Sequence, residues 1–165
     1  MHAHCQFPEI MSLIKNRPEL GGKDPFGQGG WEKGQELEQR LEAMDAMGVD
    51  MQVLSVSVFH HHHWAEYGLA EKLCQIQNEK LSEICALHPD RFVPLSIVAL
   101  QHPDLAAKQL EHTVKDLGHR GAMVTAALDG VELSDERFHP FWATAEELDV
   151  PIFIHPRHFR EGAPR

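Results

Sequence analysis

With 165 residues, 42% of them hydrophobic and 24% charged, the chain has the length and composition of one domain with a substantial core. Its formal net charge of −10, from 15 basic against 25 acidic residues, argues against nucleic acid and anionic membrane surfaces as partners. No apolar run reaches transmembrane length. Cys5, Cys74 and Cys85 are odd in number and match no zinc-knuckle or disulfide spacing, which fits a reducing, cytoplasmic setting.

The chain opens with Met1-His2-Ala3-His4-Cys5. On an extended segment two histidines two apart point to the same side, as a metal clamp requires. Ile10 to Asn16 reads as a short helix stopped before Pro18. Gly21 to Gly30 is an irregular glycine-rich loop, either a plain excursion or a flap over a site mouth. Gln35 to Met47 is helical, with Leu37, Leu41, Met44 and Met47 as its core face and Gly48 as its stop. Val49 to Phe59 has the β-branched density of a parallel strand covered on both faces. His60-His61-His62-His63-Trp64 follows it directly; four adjacent histidines cannot all face one ion from a regular element, so they read as a loop rim or helix entry.

A long helix runs from about Trp64 to Leu87, dividing near Tyr67-Gly68. Its apolar face is Leu69, Leu73, Ile76, Leu81, Ile84 and Leu87, and Cys74 and Cys85 sit three turns apart on one buried face. Phe92 to Leu100 is the next strand. Asp104 is a candidate cap for a helix that carries Leu105, Leu110, Val114 and Leu117 and closes at Gly118. His119 to Ala127 is the fourth strand, and Leu128 to Leu133 a loop. Ser134 is a candidate cap for a helix from Asp135 to Leu148 that buries Phe138, Phe141, Trp142, Ala145 and Leu148. Val150 to Ile154 is the fifth strand; it ends at His155, after which the chain departs into a loop.

Strand–helix alternation throughout indicates an α/β fold with parallel strands. Five strands suit either an open doubly wound sheet or about five eighths of a (β/α)8 TIM barrel, which takes roughly 250 residues when complete. Periodicity alone does not choose between them.

Imidazole nitrogens suit zinc or another borderline divalent ion, and a catalytic site needs about three protein ligands with one position open. His2 and His4 supply two, and His155, at the end of an apolar strand, is the best third. The bland alternatives are an incidental pair near a terminus and a satisfied core histidine. His60, His63, Arg157 and His158, each just past the carboxyl end of a strand, are candidate substrate contacts. Glu9 and Asp129 are loop carboxylates with only a generic claim, so the sequence assigns no catalytic residue.

Five stretches, in order, carry a resemblance: Met1-His2-Ala3-His4; the run from Arg40 to Ser55 around Met47-Gly48-Val49-Asp50; His88-Pro89-Asp90-Arg91-Phe92; Leu117-Gly118-His119-Arg120-Gly121-Ala122; and Val150-Pro151-Ile152-Phe153-Ile154-His155-Pro156. Together they resemble the amidohydrolase-related family, in the branch of aminocarboxymuconate-semialdehyde decarboxylase and the resorcylate- and carboxyvanillate-type decarboxylases. The resemblance implies a distorted TIM barrel of the metal-dependent hydrolase type, of which residues 1–165 would be one partial domain holding the first five β/α units. His2 and His4 match the family's first-strand pair, and His155 its fifth-strand metal ligand. The aspartate ending strand eight and the histidine after strand six have no position here, because the chain ends soon after strand five. The implied activity is metal-dependent, non-oxidative decarboxylation of an aromatic or unsaturated carboxylic acid. The implied cofactor is one divalent ion, zinc first and manganese second. Two alternatives stand beside it: a metal-dependent hydrolase of a lactone, ester or amide, and a non-catalytic fragment. A five-strand piece would expose its sheet edges, so a homo-oligomer or another association covering them is expected.

Overall fold

The structure, a computed structural model, describes residues 1–14, 37–57, 61–128 and 130–156. The glycine-rich loop from Gly21 to Gly30 lies outside them.

Five parallel strand positions form in the expected order. β1 (His2–Cys5) pairs with β2 (Gln52–Val56), which pairs with β3 (Phe92–Pro94). β4 (Ser96–Ile97) pairs with β5 (Ala122–Thr125), which pairs with β8 (Ile152–His155). β3 and β4 are one run of chain interrupted at Leu95. Leu95 N donates to Leu54 O on one side, and Ser96 N donates to Gly121 O on the other, so the run hands the pairing from β2 to β5. Parallel register aligns His4 with Ser55 and Thr125 with His155. All four residues of β5 are buried, as for a strand covered on both faces.

The helices are α1 (Pro8–Ile14), α2 (Leu37–Ala46), α3 (Tyr67–Leu87), α4 (Pro103–Asp116) and α5 (His139–Glu147). One core joins α1, α2 and α3 to β2 and β3 through Ile10, Ile14, Met44, Leu54, Leu73, Leu81 and Phe92. A second joins α4 and α5 to β5 through Leu110, Val124, Phe138 and Phe141. Cys74 and Cys85 are both buried on α3, and burial pushes each thiol up to about 12.

Several local expectations are corrected. α3 starts at Tyr67 rather than Trp64, because the Glu66 carboxylate accepts from Gly68 N and caps the helix there. Asp104 is not the cap of α4; His102 holds that position without a side-chain bond, and Pro103 opens the first turn, where a missing N–H costs nothing. Asp135, not Ser134, accepts from Arg137 N and starts a 3-10 turn, Glu136–Phe138, ahead of α5. The stretch expected as a loop contains a small antiparallel hairpin, β6 (Ala127–Leu128) and β7 (Val131–Glu132), turning at Gly130, whose φ is +86°. Met47 and Leu87 are exposed, at 59% and 67%: Met47 follows the last residue of α2 and Leu87 is the last residue of α3.

The sheet is strongly curled. Strands lie about 4.8 Å apart, so a flat row of five would hold its outer members about 19 Å apart, beyond the reach of facing side chains. Yet the His2 ring on β1 lies 5.8 Å from the His155 ring on β8, and 4.5 Å from the Phe153 ring. Ser55 on β2 likewise meets Met123 on β5, at 3.1 Å. Such closure across the concave face belongs to a barrel wall rather than an open doubly wound sheet.

Candidate metal centre

Period-two alternation brings His2 and His4 to the same face of β1, with ring centroids 4.6 Å apart and edge to face. His155, the last residue of β8, comes from the opposite side of the curl, its ring 5.2 Å from His4. One ligand nitrogen from each of the three lies within 4.8 Å of the others, and all three residues are part-buried. An ion at about 2.1 Å from each nitrogen keeps its ligands within about 4.2 Å of one another, so small side-chain movements would close the set. Among the described residues this is the one such cluster of three or more histidines, cysteines or carboxylates, and it contains no carboxylate.

The electrostatics favour neutral imidazoles, the form that binds metal. Burial, reinforced by the neighbouring His4 and His155 rings, lowers the His2 pKa to about 4. Burial and His155 lower that of His4 as well, against a smaller upward pull from the Val56 carbonyl. Fixed partners hold the rings. His155 Nδ1–H donates to Pro156 O at 2.8 Å, leaving Nε2 with the lone pair. Ser55 Oγ lies 2.8 Å from His2 Nε2 and 3.3 Å from His4 Nδ1. The backbone under the pair is clamped from α2: Arg40 donates to His4 O at 3.0 Å and to the Gln52 side chain at 3.1 Å. The N-terminal ammonium donates to Met51 O, and Val53 N donates to Met1 O, so β1 is anchored along β2 from its first residue.

His60, Arg157, His158 and Asp129 lie outside the described residues. His63 is part-buried, its ring 5.6 Å from His61, while His62, at φ 48°, packs 5.8 Å from Trp64. None of these three joins the ligand cluster. A groove of about 370 Å³ between α3 and α4, lined in part by Glu71, Lys108 and His112, shares no residue with it. Ser55, Arg40 and Met123 had no functional reading in the sequence. The available signal was faint: Ser55 is a small polar residue on the same strand face as Val53 and Ser57 within an apolar run.

A curled row of parallel strands whose histidines meet across its concave face defines an α/β-barrel type of protein. The chain belongs to the amidohydrolase family, whose profile matches residues 1–163. It is 36% identical to a gamma-resorcylate decarboxylase of Rhodococcus jostii, over 72% of this chain and 39% of that protein. It is 35% identical to the gamma-resorcylate decarboxylase of Rhizobium radiobacter, over 73% of this chain and 39% of that one. Among solved structures, a dihydroxybenzoic acid decarboxylase of a Polaromonas species, with bound manganese and the inhibitor 2-nitroresorcinol, superposes with a TM-score of 0.73 at 27% identity. That match covers 97% of this chain and 48% of the other. The chain thus spans well under two thirds of the length of these relatives.

Proposed function

We propose that His2, His4 and His155 hold one divalent cation, and that the chain carries this part of a decarboxylase acting on an aromatic carboxylic acid. On this reading residues 1–165 are the first five β/α units of a TIM barrel. The single observation that carries it is the convergence of three part-buried imidazoles from the first and last parallel strands. Manganese in the Polaromonas relative supports manganese as strongly as imidazole chemistry supports zinc. Bound there, the ion would orient and polarise the oxygens of the substrate. The reaction replaces a ring carboxylate by hydrogen: the carbon–carboxyl bond breaks, CO₂ leaves, and a proton goes to the ring carbon. The residues of this chain would do the holding. Arg40 and Ser55 fix β1 and its rings, His155 is fixed through Pro156, and Phe153 sets an apolar ring beside His2. The proton donor and any carboxylate ligand are not among the residues of this cluster.

A non-catalytic role is the second reading; among the described residues the cluster holds no carboxylate. One experiment separates the two. The purified chain, dialysed against Mn²⁺ or Zn²⁺, should retain about one ion; release of CO₂ from 2,6-dihydroxybenzoate would select the catalytic reading, and ion without turnover would show that these residues do not catalyse on their own. His2→Ala, His4→Ala and His155→Ala combined should abolish retention while the circular dichroism of the fold persists. Retention by the triple variant, or none by the parent, would sink the metal assignment.

A further inference from the structure

A hydroxyl has one hydrogen and two lone pairs, and Ser55 Oγ has a partner for each. Met123 Sδ, 3.1 Å away, can only accept. The other two partners are imidazole nitrogens, His2 Nε2 at 2.8 Å and His4 Nδ1 at 3.3 Å. The oxygen is buried, with Ser55 1% exposed, so an unmatched pair there would be costly. With the hydroxyl hydrogen on Met123, all three contacts are satisfied at once when both imidazoles donate. For His4 that requires the Nδ1–H tautomer and leaves Nε2 as the free lone pair.

We propose that Ser55 is a positioning residue for the histidine cluster: by accepting from His4 Nδ1–H it selects the tautomer that offers His4 Nε2 to a metal ion. The inference rests on the metal reading above. Three elements build the device: β1 supplies the pair, β2 the hydroxyl in register with His4, and β5 the thioether that takes the hydroxyl hydrogen. Met123 is itself buried, so the hydroxyl cannot turn to water instead. The Val56 carbonyl is the competing acceptor on the His4 ring. Orienting partners of this kind are worth about 10–100-fold in metal affinity.

The test begins on the metal-free chain, labelled with ¹⁵N-histidine, where long-range proton–nitrogen correlation reads the tautomer directly. His4 should be Nδ1–H in the parent, shift towards Nε2–H in Ser55→Ala, and return in Ser55→Thr, which keeps the hydroxyl. Titration with Co²⁺ should then give an affinity about 10–100-fold weaker for S55A than for the parent, with S55T close to the parent. An Nε2–H tautomer in the parent overturns the proposal. So does an S55A variant that keeps both tautomer and affinity, which would give the orienting role to Val56. A parent that takes up no Co²⁺ removes the metal reading, and the tautomer of S55A then decides the role of Ser55 on its own. Circular dichroism of each variant separates these results from unfolding.

Discussion

At the scale of single residues, His119 shows how a histidine-rich chain uses an imidazole without exposing it. It is 1% exposed, with Nε2–H donating to Asn78 O at 3.2 Å and Nδ1 facing the Ser96 hydroxyl at 3.1 Å. Ser96 also meets Thr113 of α4 at 2.6 Å, so the ring ties α3, β4 and α4 together. Burial lowers its pKa to about 4, against a smaller upward effect of the Asn78 carbonyl. Because the folded pKa lies below the ordinary 6.5, the unfolded chain takes up the proton first as pH falls. The stabilisation is therefore complete above about pH 6.5 and is lost between there and about pH 4, by at most about 3 kcal/mol. Urea unfolding at a series of pH values should show that decline, and His119→Gln should flatten it. An unchanged pH profile in H119Q would assign the decline to other groups.

At the scale of elements, β1 is the short strand on which the site depends. Four residues give it little of its own to hold it, and the structure supplies the rest from outside: β2 pairs along its whole length, and Arg40 reaches from α2 to His4 O and to Gln52. Hydrogen bonds from a charged donor contribute about 1.5–3 kcal/mol. Arg40→Met, which keeps the length but loses the donors, should destabilise by about that amount. Amide exchange should speed up in His2–Cys5 while Ala122–Thr125 keeps its protection; a uniform rise in both strands would deny Arg40 a local role. The same strand shows what the sequence makes legible. Two histidines at period two, and a third ending an apolar run, are local patterns, and they led to the cluster the structure assembles. Ser55, Met123 and Arg40 act across 36 to 68 residues of chain, and no local pattern marks such contacts. The strand positions were legible for the same reason as the pair, whereas Asp104 and Ser134 were not the caps because a proline and the neighbouring Asp135 settle those helix starts. Whether the sheet was flat or curled could not be read either, since five parallel strands have one period in both.

At the scale of the whole molecule, the curl that gathers the histidines also decides which surfaces remain to be covered. Among the described residues β1 pairs only with β2, and β8 only with β5, so within them each strand has one edge with no strand beside it. The β8 side is also apolar: Phe153 is 40% exposed and Ile154 51%. A parallel strand normally has both neighbours and both faces covered, and an uncovered apolar edge invites pairing with another chain. The net charge of −10 opposes association through long-range repulsion, but at physiological salt that repulsion is screened beyond about 8 Å, while edge pairing acts at contact. Association is therefore expected to strengthen as salt rises. Sedimentation velocity over a concentration series should show the average mass increasing with protein concentration, and more steeply at high salt than at low salt. Ile154→Lys places a charge on the exposed edge without touching the three histidines, and should return the chain towards monomer while leaving its metal stoichiometry unchanged. A parent that stays monomeric at every concentration and salt would overturn this account, since the edge would then need no partner. Loss of metal together with association in I154K would instead tie the cluster itself to the assembly, because β8 then carries both.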